Sequence, residues 1–185
     1  MLTVQLNRVL QDCAPPDDRA WSILREAQRQ AAATVPHVAV VPAIDLPLSD
    51  VVHISAFGNM ALGLRLARAA LGMAYGRDVA YRAPETQAAQ RIEDGRVVEL
   101  VFRNVTSRME CNDLTSIPFR IEQDGATAPI AAVTYPGGPL VRITMAEPLV
   151  GPAVVHGAYG MNPPRVPMDV ERQMPMLGFC DIPIG

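Results

Sequence analysis

The sequence predicts a mixed α/β protein in which an α/β layer precedes a small antiparallel β-sandwich. Up to about residue 76, short β-branched runs alternate with helical periods, which is typical of an α/β layer. From residue 77 onward, short apolar runs are separated by glycine- and proline-rich turns, and this pattern favours an antiparallel sandwich. We therefore expect two units, residues 1–76 and 77–185, with the boundary between Tyr75 and Tyr81.

The first unit is predicted to run strand, helix, strand, loop, helix. Apolar and polar residues alternate over 2–6 and predict the first strand. A helical apolar period covers residues 21–33, and either Asp17 or Asp18 can cap this helix. The β-branched run 38–41 predicts a buried second strand.

A turn-rich loop at 45–55 and a second helix close this unit. The helix is predicted from apolar residues spaced along one face: Met60, Leu64, Ala67 and Leu71. Gly72 and Gly76 are its candidate stops. Nearer the N-terminus, Pro15-Pro16 predicts a loop ahead of the first helix.

The second unit is predicted to consist of short strands joined by tight turns. Glu93-Asp94-Gly95 and Asp124-Gly125 are hairpin signals. The predicted strands flanking these and later turns are 88–92, 97–102, 119–121, 140–145 and 153–159. The tail from Pro163 is rich in proline and methionine and is expected to pack as an irregular strip.

Composition limits the partners that the chain can have. Hydrophobic residues make up 49% and charged residues 19%, which is typical of globular rather than disordered chains. The net charge of -3 provides no basic field for nucleic acid or anionic lipid. Every long apolar run is interrupted before it could span a bilayer. We expect neither a nucleic-acid partner nor a membrane partner.

The three cysteines are Cys13, Cys111 and Cys180, and they lack C-x-x-C spacing. That absence disfavours a zinc site. One disulfide with a spare thiol and three reduced thiols both fit, so the compartment stays open. The N-terminus lacks the charged and apolar regions of a signal peptide.

The segment Asp50-Val51-Val52-His53 has the pattern of half a serine-esterase site. Histidine acts as a general base only when its tautomer and orientation are fixed, and a carboxylate on its second ring nitrogen does both. A spacing of three residues on a tight loop lets Asp50 fold back onto His53. The motif follows the last predicted strand of the α/β layer, where such layers keep ligand-handling loops.

Three blocks of the sequence carry a resemblance to a known family. They are residues 4–6 with the W-x-x-L-R-E-A-Q helix at 21–28, residues 50–58 with 63–67, and residues 158–163 with 178–179. Together they resemble the SGNH hydrolases, and most closely the sialate O-acetylesterase group. The first two blocks are specific to that group. The third is a weaker match, to the group's C-terminal β-domain.

The resemblance implies both a fold and a site. The fold would be the C-terminal part of a three-layer α/β hydrolase domain, followed by a small β-domain. His53 would be the general base and Asp50 its orienting carboxylate. The substrate would be an O-acetylated carbohydrate, sialic acid being the family's best-known case. No metal and no organic cofactor are implied, and members of the family are often exported.

The sequence departs from the family by lacking the G-x-S block of the nucleophile and the oxyanion-hole residues. Ser22 falls within a predicted helix, Ser49 and Ser55 flank the pair too closely, and Ser107 and Ser116 lack a nucleophile-like turn. The resemblance thus covers only the C-terminal portion of the family's length. We expect the chain to be inactive alone, with the serine supplied by a missing N-terminal segment or a second chain.

The alternative is a non-catalytic module whose β-rich unit contributes folding, assembly or sugar contacts. A dinucleotide-binding fold is disfavoured because no G-x-G-x-x-G follows a strand. Among competing residues, His37 is expected in a loop, His156 as a satisfied strand histidine, and Asp45 in a turn or supporting role. The helix residues expected to cap, pair and pack against the sheet are Arg25, Glu26 and Gln28.

Overall fold

The computed structural model describes residues 1–10 and 17–185 of the chain. The predicted Pro15-Pro16 loop and Cys13 lie outside the described residues. The described part is a mixed α/β structure with two α-helices and mostly antiparallel sheets, so the α/β class is confirmed at that level. Neither of these two helices is long and apolar enough to cross a membrane.

A parallel strand pair and two helices form the first part of the structure. Its elements are β1 (Leu2–Val4), α1 (Asp18–Thr34), β2 (Ala39–Val41) and α2 (Ala56–Met73). The strands β1 and β2 run parallel, with Leu2 opposite Ala39 and Val4 opposite Val41. The predicted order of strand, helix, strand, loop and helix is confirmed. Because the pair is parallel, the carboxyl ends of both strands lie at one edge.

Helix α1 begins where the sequence predicts. The carboxylate of Asp17 accepts the backbone N–H of Ala20 at 3.2 Å and so satisfies one free amide of the first turn. The apolar period does not identify the buried face, because Leu24 is 49% exposed. The buried residues of the helix are polar or charged: Ser22, Arg25 and Glu26.

Helix α2 passes through Gly72, so the prediction that this glycine ends the helix is wrong. A Cβ atom at residue 72 would lie 2.2 Å from a ring carbon of Tyr81. The glycine therefore permits close packing of the aromatic ring against the helix. Gly76, the second candidate, follows the helix with a φ of 61°, a left-handed conformation that favours glycine.

The predicted apolar face of α2 is exposed. We define the α2 apolar face by four residues, with exposures of 73%, 71%, 74% and 44%: Phe57, Met60, Leu64 and Leu71. The helix instead buries Gly58 and Ala69. These large apolar side chains are therefore left in contact with solvent.

The remaining strands of the described residues form three antiparallel sheets. They are β3 (Glu85–Ile92), β4 (Val97–Arg103), β5 (Met109–Glu110), β6 (Phe119–Gln123), β7 (Ala126–Ala128), β8 (Ile130–Gly137), β9 (Leu140–Met145), β10 (Ala153–Gly157), β11 (Met168–Asp169), β12 (Met174–Pro175) and β13 (Phe179–Pro183). The sheet orders are β3-β4-β9-β8, β13-β10-β6-β7 and β12-β11-β5. Both predicted hairpins, β3–β4 and β6–β7, are confirmed. The expectation of an irregular tail is wrong for β13, which pairs with β10.

Residues of both four-stranded sheets pack into one hydrophobic core. Leu100 and Ile143 belong to one sheet, and Ile121, Val155 and Phe179 to the other, and each is at most 1% exposed. Full burial of such a side chain stabilises the fold by about 1.5–3 kcal/mol. This shared core holds the two sheets together.

Ion pairs and hydrogen bonds connect α1 to the β-rich region. Arg29 bridges Glu26 of α1 at 2.6 Å and Glu85 of β3 at 2.8 Å. Arg103 of β4 also reaches Glu85 at 2.8 Å, and the backbone N–H of Cys180 donates to Glu26 at 3.2 Å. The pairing predicted for Glu26 is therefore confirmed. It fixes α1 against β3 and β13.

Candidate active site

Asp50 folds back onto His53, as the three-residue spacing predicts. The Nδ1 atom of His53 lies 2.8 Å from Oδ2 of Asp50. The other carboxylate oxygen, Oδ1, accepts the backbone N–H groups of Val52 at 2.9 Å and of His53 at 2.7 Å. Asp50 thus closes a local turn and fixes the imidazole at one of its two ring nitrogens.

The hydrogen bonds of this turn lower the pKa of Asp50 to about 2. The largest cause is the backbone N–H of His53, followed by the N–H of Val52 and the imidazole of His53. The carboxylate is therefore ionised at neutral pH and can accept a hydrogen bond from the imidazole tautomer that carries its proton on Nδ1. That tautomer leaves a lone pair on Nε2, which is the state that a general base requires.

The loop around the pair is closed by backbone contacts. The N–H of Ser49 donates to the carbonyl of His53 at 2.8 Å, and the N–H of Ser55 donates to the carbonyl of Pro47 at 2.9 Å. Leu48 and Ile54 form an isolated antiparallel bridge. The imidazole nevertheless stays accessible, because the His53 side chain is 76% exposed.

The loop lies at the carboxyl edge of the parallel strand pair. It follows β2, and the segment that follows β1 runs beside it. The N–H of Leu10 donates to the carbonyl of Val51 at 2.8 Å, and the side-chain Nδ2 of Asn7 donates to the carbonyl of Val52 at 2.8 Å. Ligand sites of α/β sheets form outside the carboxyl ends of their strands.

The hydroxyl groups of all five serines form hydrogen bonds to groups other than the His53 ring. Ser22 is 2% exposed and bonds the carbonyl of Asp18 and the N–H of Gly160. The other four hydroxyls bond as follows: Ser49 donates to the carbonyl of His53, Ser55 caps α2 at Gly58, Ser107 bonds Asp169, and Ser116 donates to the carbonyl of Arg165. Within residues 1–10 and 17–185, no serine hydroxyl bonds the His53 ring.

Asp45 and His37, the two residues weighed against the pair, form contacts away from the His53 ring. The carboxylate of Asp45 forms two hydrogen bonds with the guanidinium of Arg65, at 2.7 and 2.6 Å. Asp45 therefore anchors α2 to the loop and does not orient the imidazole. His37 lies in the exposed connection before β2, as predicted, and its backbone carbonyl accepts the N-terminal amino group.

A cluster of His156, Cys180 and Asp181, which the sequence does not predict, places three potential metal ligands within 4.8 Å of one another. The guanidinium of Arg19 forms hydrogen bonds of 2.9 and 2.8 Å with Asp181 and lies 3.6 Å from the Cys180 sulfur. A cation is therefore already present, which disfavours a metal ion. Burial also raises the pKa of the Cys180 thiol to about 12, so the sulfur is a protonated thiol in the protein as described.

Among the described residues, only one of the two ring nitrogens of His156 has a hydrogen-bond partner. Its Nδ1 accepts the N–H of Asp181 at 3.1 Å, but its buried Nε2 has no hydrogen-bond partner among the described residues. The prediction of a satisfied strand histidine is therefore half right. Burial lowers the pKa of His156, so the ring is neutral at pH 7. Cys111 and Cys180 are both free thiols.

Sequence reasoning missed how α1 contributes to the edge beside the candidate site. Arg25 is 1% exposed and donates to backbone carbonyls, among them those of Leu6 at 2.9 Å, Asn7 at 2.8 Å and Ala158 at 3.0 Å. Burial lowers the pKa of Arg25 to about 10, which still leaves it charged at neutral pH. Arg25 therefore ties the segment after β1 to the segment after β10.

Comparison with known proteins supports a relation to carbohydrate esterases. No protein-family model and no curated protein matches the chain. A carbohydrate acetylesterase from Xanthomonas citri matches 96% of this chain with a TM-score of 0.73 and 25% sequence identity. The chain spans 40% of the length of that acetylesterase. The mixed α/β fold of this chain therefore resembles part of a carbohydrate esterase.

A weaker match is the N-terminal part of the bacterial S-layer protein SbsC. It covers 90% of this chain and 32% of that protein, with 12% identity and a TM-score of 0.40.

Proposed function

We propose that this chain supplies the base and the carboxylate of a carbohydrate O-acetylesterase site. The 2.8 Å contact between Nδ1 of His53 and Oδ2 of Asp50 carries the proposal. It orients the imidazole on which serine-type ester hydrolysis depends. The fold likeness to a carbohydrate acetylesterase supports the same reaction class.

In this mechanism Nε2 of His53 accepts the proton of a serine hydroxyl as its oxygen attacks the acetyl carbonyl carbon. Asp50 stabilises the resulting imidazolium and keeps the ring in place. When the tetrahedral intermediate collapses, the sugar oxygen leaves and takes the proton from Nε2. Water then attacks the acetyl-serine with His53 again as base, which releases acetate and restores the serine.

The serine and the oxyanion donors would come from a serine-bearing part, either an N-terminal segment of the same polypeptide or a second chain. The α2 apolar face begins at Phe57, only four residues after His53. A part that covers the first turn of this face would therefore cover residues close in sequence to the loop that carries the imidazole. The exposure of Phe57, Met60 and Leu64 supports such a covering part.

The finer part of the proposal rests on the sequence blocks that resemble the SGNH hydrolases. It makes residues 1–76 the C-terminal part of an SGNH-type three-layer hydrolase domain and residues 77–185 a β-rich domain. The substrate is then an O-acetylated carbohydrate of the sialate type. The strand order β1-β2 and the loop after β2 support the assignment of the first region.

The test uses a fluorophosphonate probe, which labels activated serines. The chain alone should not be labelled and should hydrolyse p-nitrophenyl acetate no faster than free imidazole. A chimera is then made in which this chain replaces the matched region of the Xanthomonas citri acetylesterase, whose remaining part is expected to carry the serine. That chimera should be labelled, and His53→Ala should abolish the labelling while His37→Ala preserves it. Labelling of the chimera that survives His53→Ala would overturn the proposed role of His53. Labelling of the isolated chain would show a nucleophile within it and overturn the proposal that the serine comes from another part.

A further inference from the structure

We propose that Asn7 is a positioning residue that holds the Asp50–His53 turn in its working geometry. The inference rests on the proposed function, because it assigns Asn7 a role in orienting the proposed base. Asn7 belongs to none of the three blocks that resemble esterases. Its role follows from its contacts alone.

Hydrogen bonds fix both the backbone N–H and the backbone carbonyl of Val52. Its N–H donates to Oδ1 of Asp50 at 2.9 Å, and its carbonyl accepts Nδ2 of Asn7 at 2.8 Å. The residue that binds the carboxylate is thus fixed to the segment after β1. Among the described residues, Asn7 provides the only side-chain hydrogen bond to residues 46–54 from outside this loop and α2.

Asn7 is itself held by a buried side chain. Its backbone carbonyl accepts Nη2 of Arg25 at 2.8 Å, and the neighbouring carbonyl of Leu6 accepts Nε of Arg25 at 2.9 Å. Arg25 is 1% exposed and cannot move without leaving these carbonyls unpaired. The anchor therefore runs from the core of the protein, through Asn7, to the turn that carries the base.

Such an anchor matters because the pair itself is exposed. The side chains of His53 and Asp50 are 76% and 52% exposed, so packing does not immobilise them. A misplacement of about 1 Å in a catalytic group can lower the rate by about 100-fold. The hydrogen bond from Asn7 restricts this movement by fixing the middle of the turn.

The experiment compares two matched leucine substitutions. Asn7→Leu keeps the number and branching of the side-chain heavy atoms but removes the donor to Val52. Gln28→Leu removes a similar amide, which bonds the N–H of Leu6 at 2.8 Å and the carbonyl of Val4 at 2.9 Å without touching the turn. The readout is the pKa of the Asp50 carboxyl, measured by carbon-13 NMR in the full chain.

We expect Asn7→Leu to raise the pKa of Asp50 from about 2 toward the ordinary value of about 3.9, because the two backbone donors lose their alignment. Gln28→Leu should leave it unchanged. Asn7→Ser, whose hydroxyl is too short to reach Val52, should act like Asn7→Leu and serves if the leucine variant does not fold. An unchanged Asp50 pKa in the folded Asn7 variants, or an equal rise in Gln28→Leu, would overturn the inference.

A kinetic readout separates this inference from the proposed function. In the chimeric esterase, Asn7→Leu should lower kcat by about 10-fold to 100-fold with little change in KM, since it displaces the base rather than the substrate. If His53→Ala leaves the chimera active, the proposed function fails whatever Asn7 does. If His53 is required but Asn7→Leu changes neither kcat nor the Asp50 pKa, only the positioning role fails.

Discussion

The imidazole of His53 lies 2.8 Å from the carboxylate of Asp50, although both side chains are more than half exposed. Exposed ion pairs contribute little to stability in general, because solvent screens them and both side chains lose freedom. This pair differs because Asp50 is also fixed by the backbone N–H groups of Val52 and His53. The geometry is therefore maintained by the turn and not by the attraction between the two side chains.

The first prediction concerns the pH range over which this turn is maintained. Hydrogen bonds hold the pKa of Asp50 at about 2, below its ordinary value of about 3.9, so the carboxylate favours the folded turn. That contribution is fully present above about pH 3.9 and is lost as the pH falls through about 2. The backbone amide signals of Val52 and His53 in NMR spectra should shift with a midpoint near pH 2. Asp50→Asn should abolish the shift, and a midpoint near pH 4 would show that the turn does not hold the carboxylate.

The second prediction concerns the buried guanidinium of Arg25. Arg25→Met should lower the free energy of unfolding by about 3–5 kcal/mol, because several backbone carbonyls then lose a charged donor inside the protein. Urea unfolding measures the change. Arg68 is an exposed arginine on α2 without an ion pair among the described residues, so Arg68→Met should change stability by less than about 0.5 kcal/mol. Equal effects of the two substitutions would contradict the structural role of Arg25.

The third prediction uses two glycines of the same helix. Alanine in a helix interior is favoured over glycine by about 1 kcal/mol. Gly63→Ala should therefore stabilise the protein, because a Cβ at residue 63 has nothing within 4 Å. Gly72→Ala should destabilise it by about 1–3 kcal/mol, since the new Cβ would lie 2.2 Å from the Tyr81 ring. Thermal unfolding of both variants gives the signs, and a stabilising Gly72→Ala would refute the close packing.

The fourth prediction concerns Asp169, which is fully buried. Burial alone would raise the pKa of this carboxyl, but hydrogen bonds from Thr106 and the guanidinium of Arg172 outweigh burial and lower it to about 2. Asp169→Asn should cost about 3–5 kcal/mol of stability, because it leaves the largely buried Arg172 unpaired.

The pH dependence of this effect has a defined sign. A lowered pKa stabilises the fold above about pH 3.9, and the stabilisation disappears as the pH falls toward 2. The dependence of unfolding free energy on pH should therefore be shallower in Asp169→Asn than in the unmodified protein. Asp78→Asn, a change at an exposed carboxylate, is the control and should leave the free energy of unfolding at neutral pH close to that of the unmodified protein.

The fifth prediction concerns the α2 apolar face. If another part of an esterase covers it, the isolated chain should self-associate through the exposed Met60 and Leu64. The double substitution Met60→Gln and Leu64→Gln should reduce this association in sedimentation experiments without changing the fold. Leu114→Gln, at a residue that is 82% exposed elsewhere, is the control. Association that is unchanged by the double substitution would place the contact on another surface.

Local features of the fold could be predicted from the sequence, because neighbouring residues determine them. The cap of α1 at Asp17, the hairpin turn at Asp124-Gly125 and the Asp50–His53 contact all join residues at most three or four positions apart. The type and order of the first four elements followed from apolar periodicity in the same way.

Features that depend on distant residues could not be predicted. Gly72 has the signature of a helix stop, but its role is set by the ring of Tyr81. Arg25 has the appearance of a helix-surface residue, yet its partners include the carbonyl of Ala158, 133 positions away. The anchor from Asn7 to Val52 spans 45 positions for the same reason. Nothing in the local sequence indicates which of these distant groups will meet.

The most direct test of the proposed site is acetate release by the chimeric esterase from an O-acetylated carbohydrate. We predict that His53→Ala lowers kcat by at least about 1,000-fold, and that Asp50→Asn lowers it by a comparable or smaller factor. His37→Ala should retain full activity in the same assay. Full acetate release by the folded His53→Ala chimera would contradict the assignment of the Asp50–His53 pair as the base and carboxylate of the site.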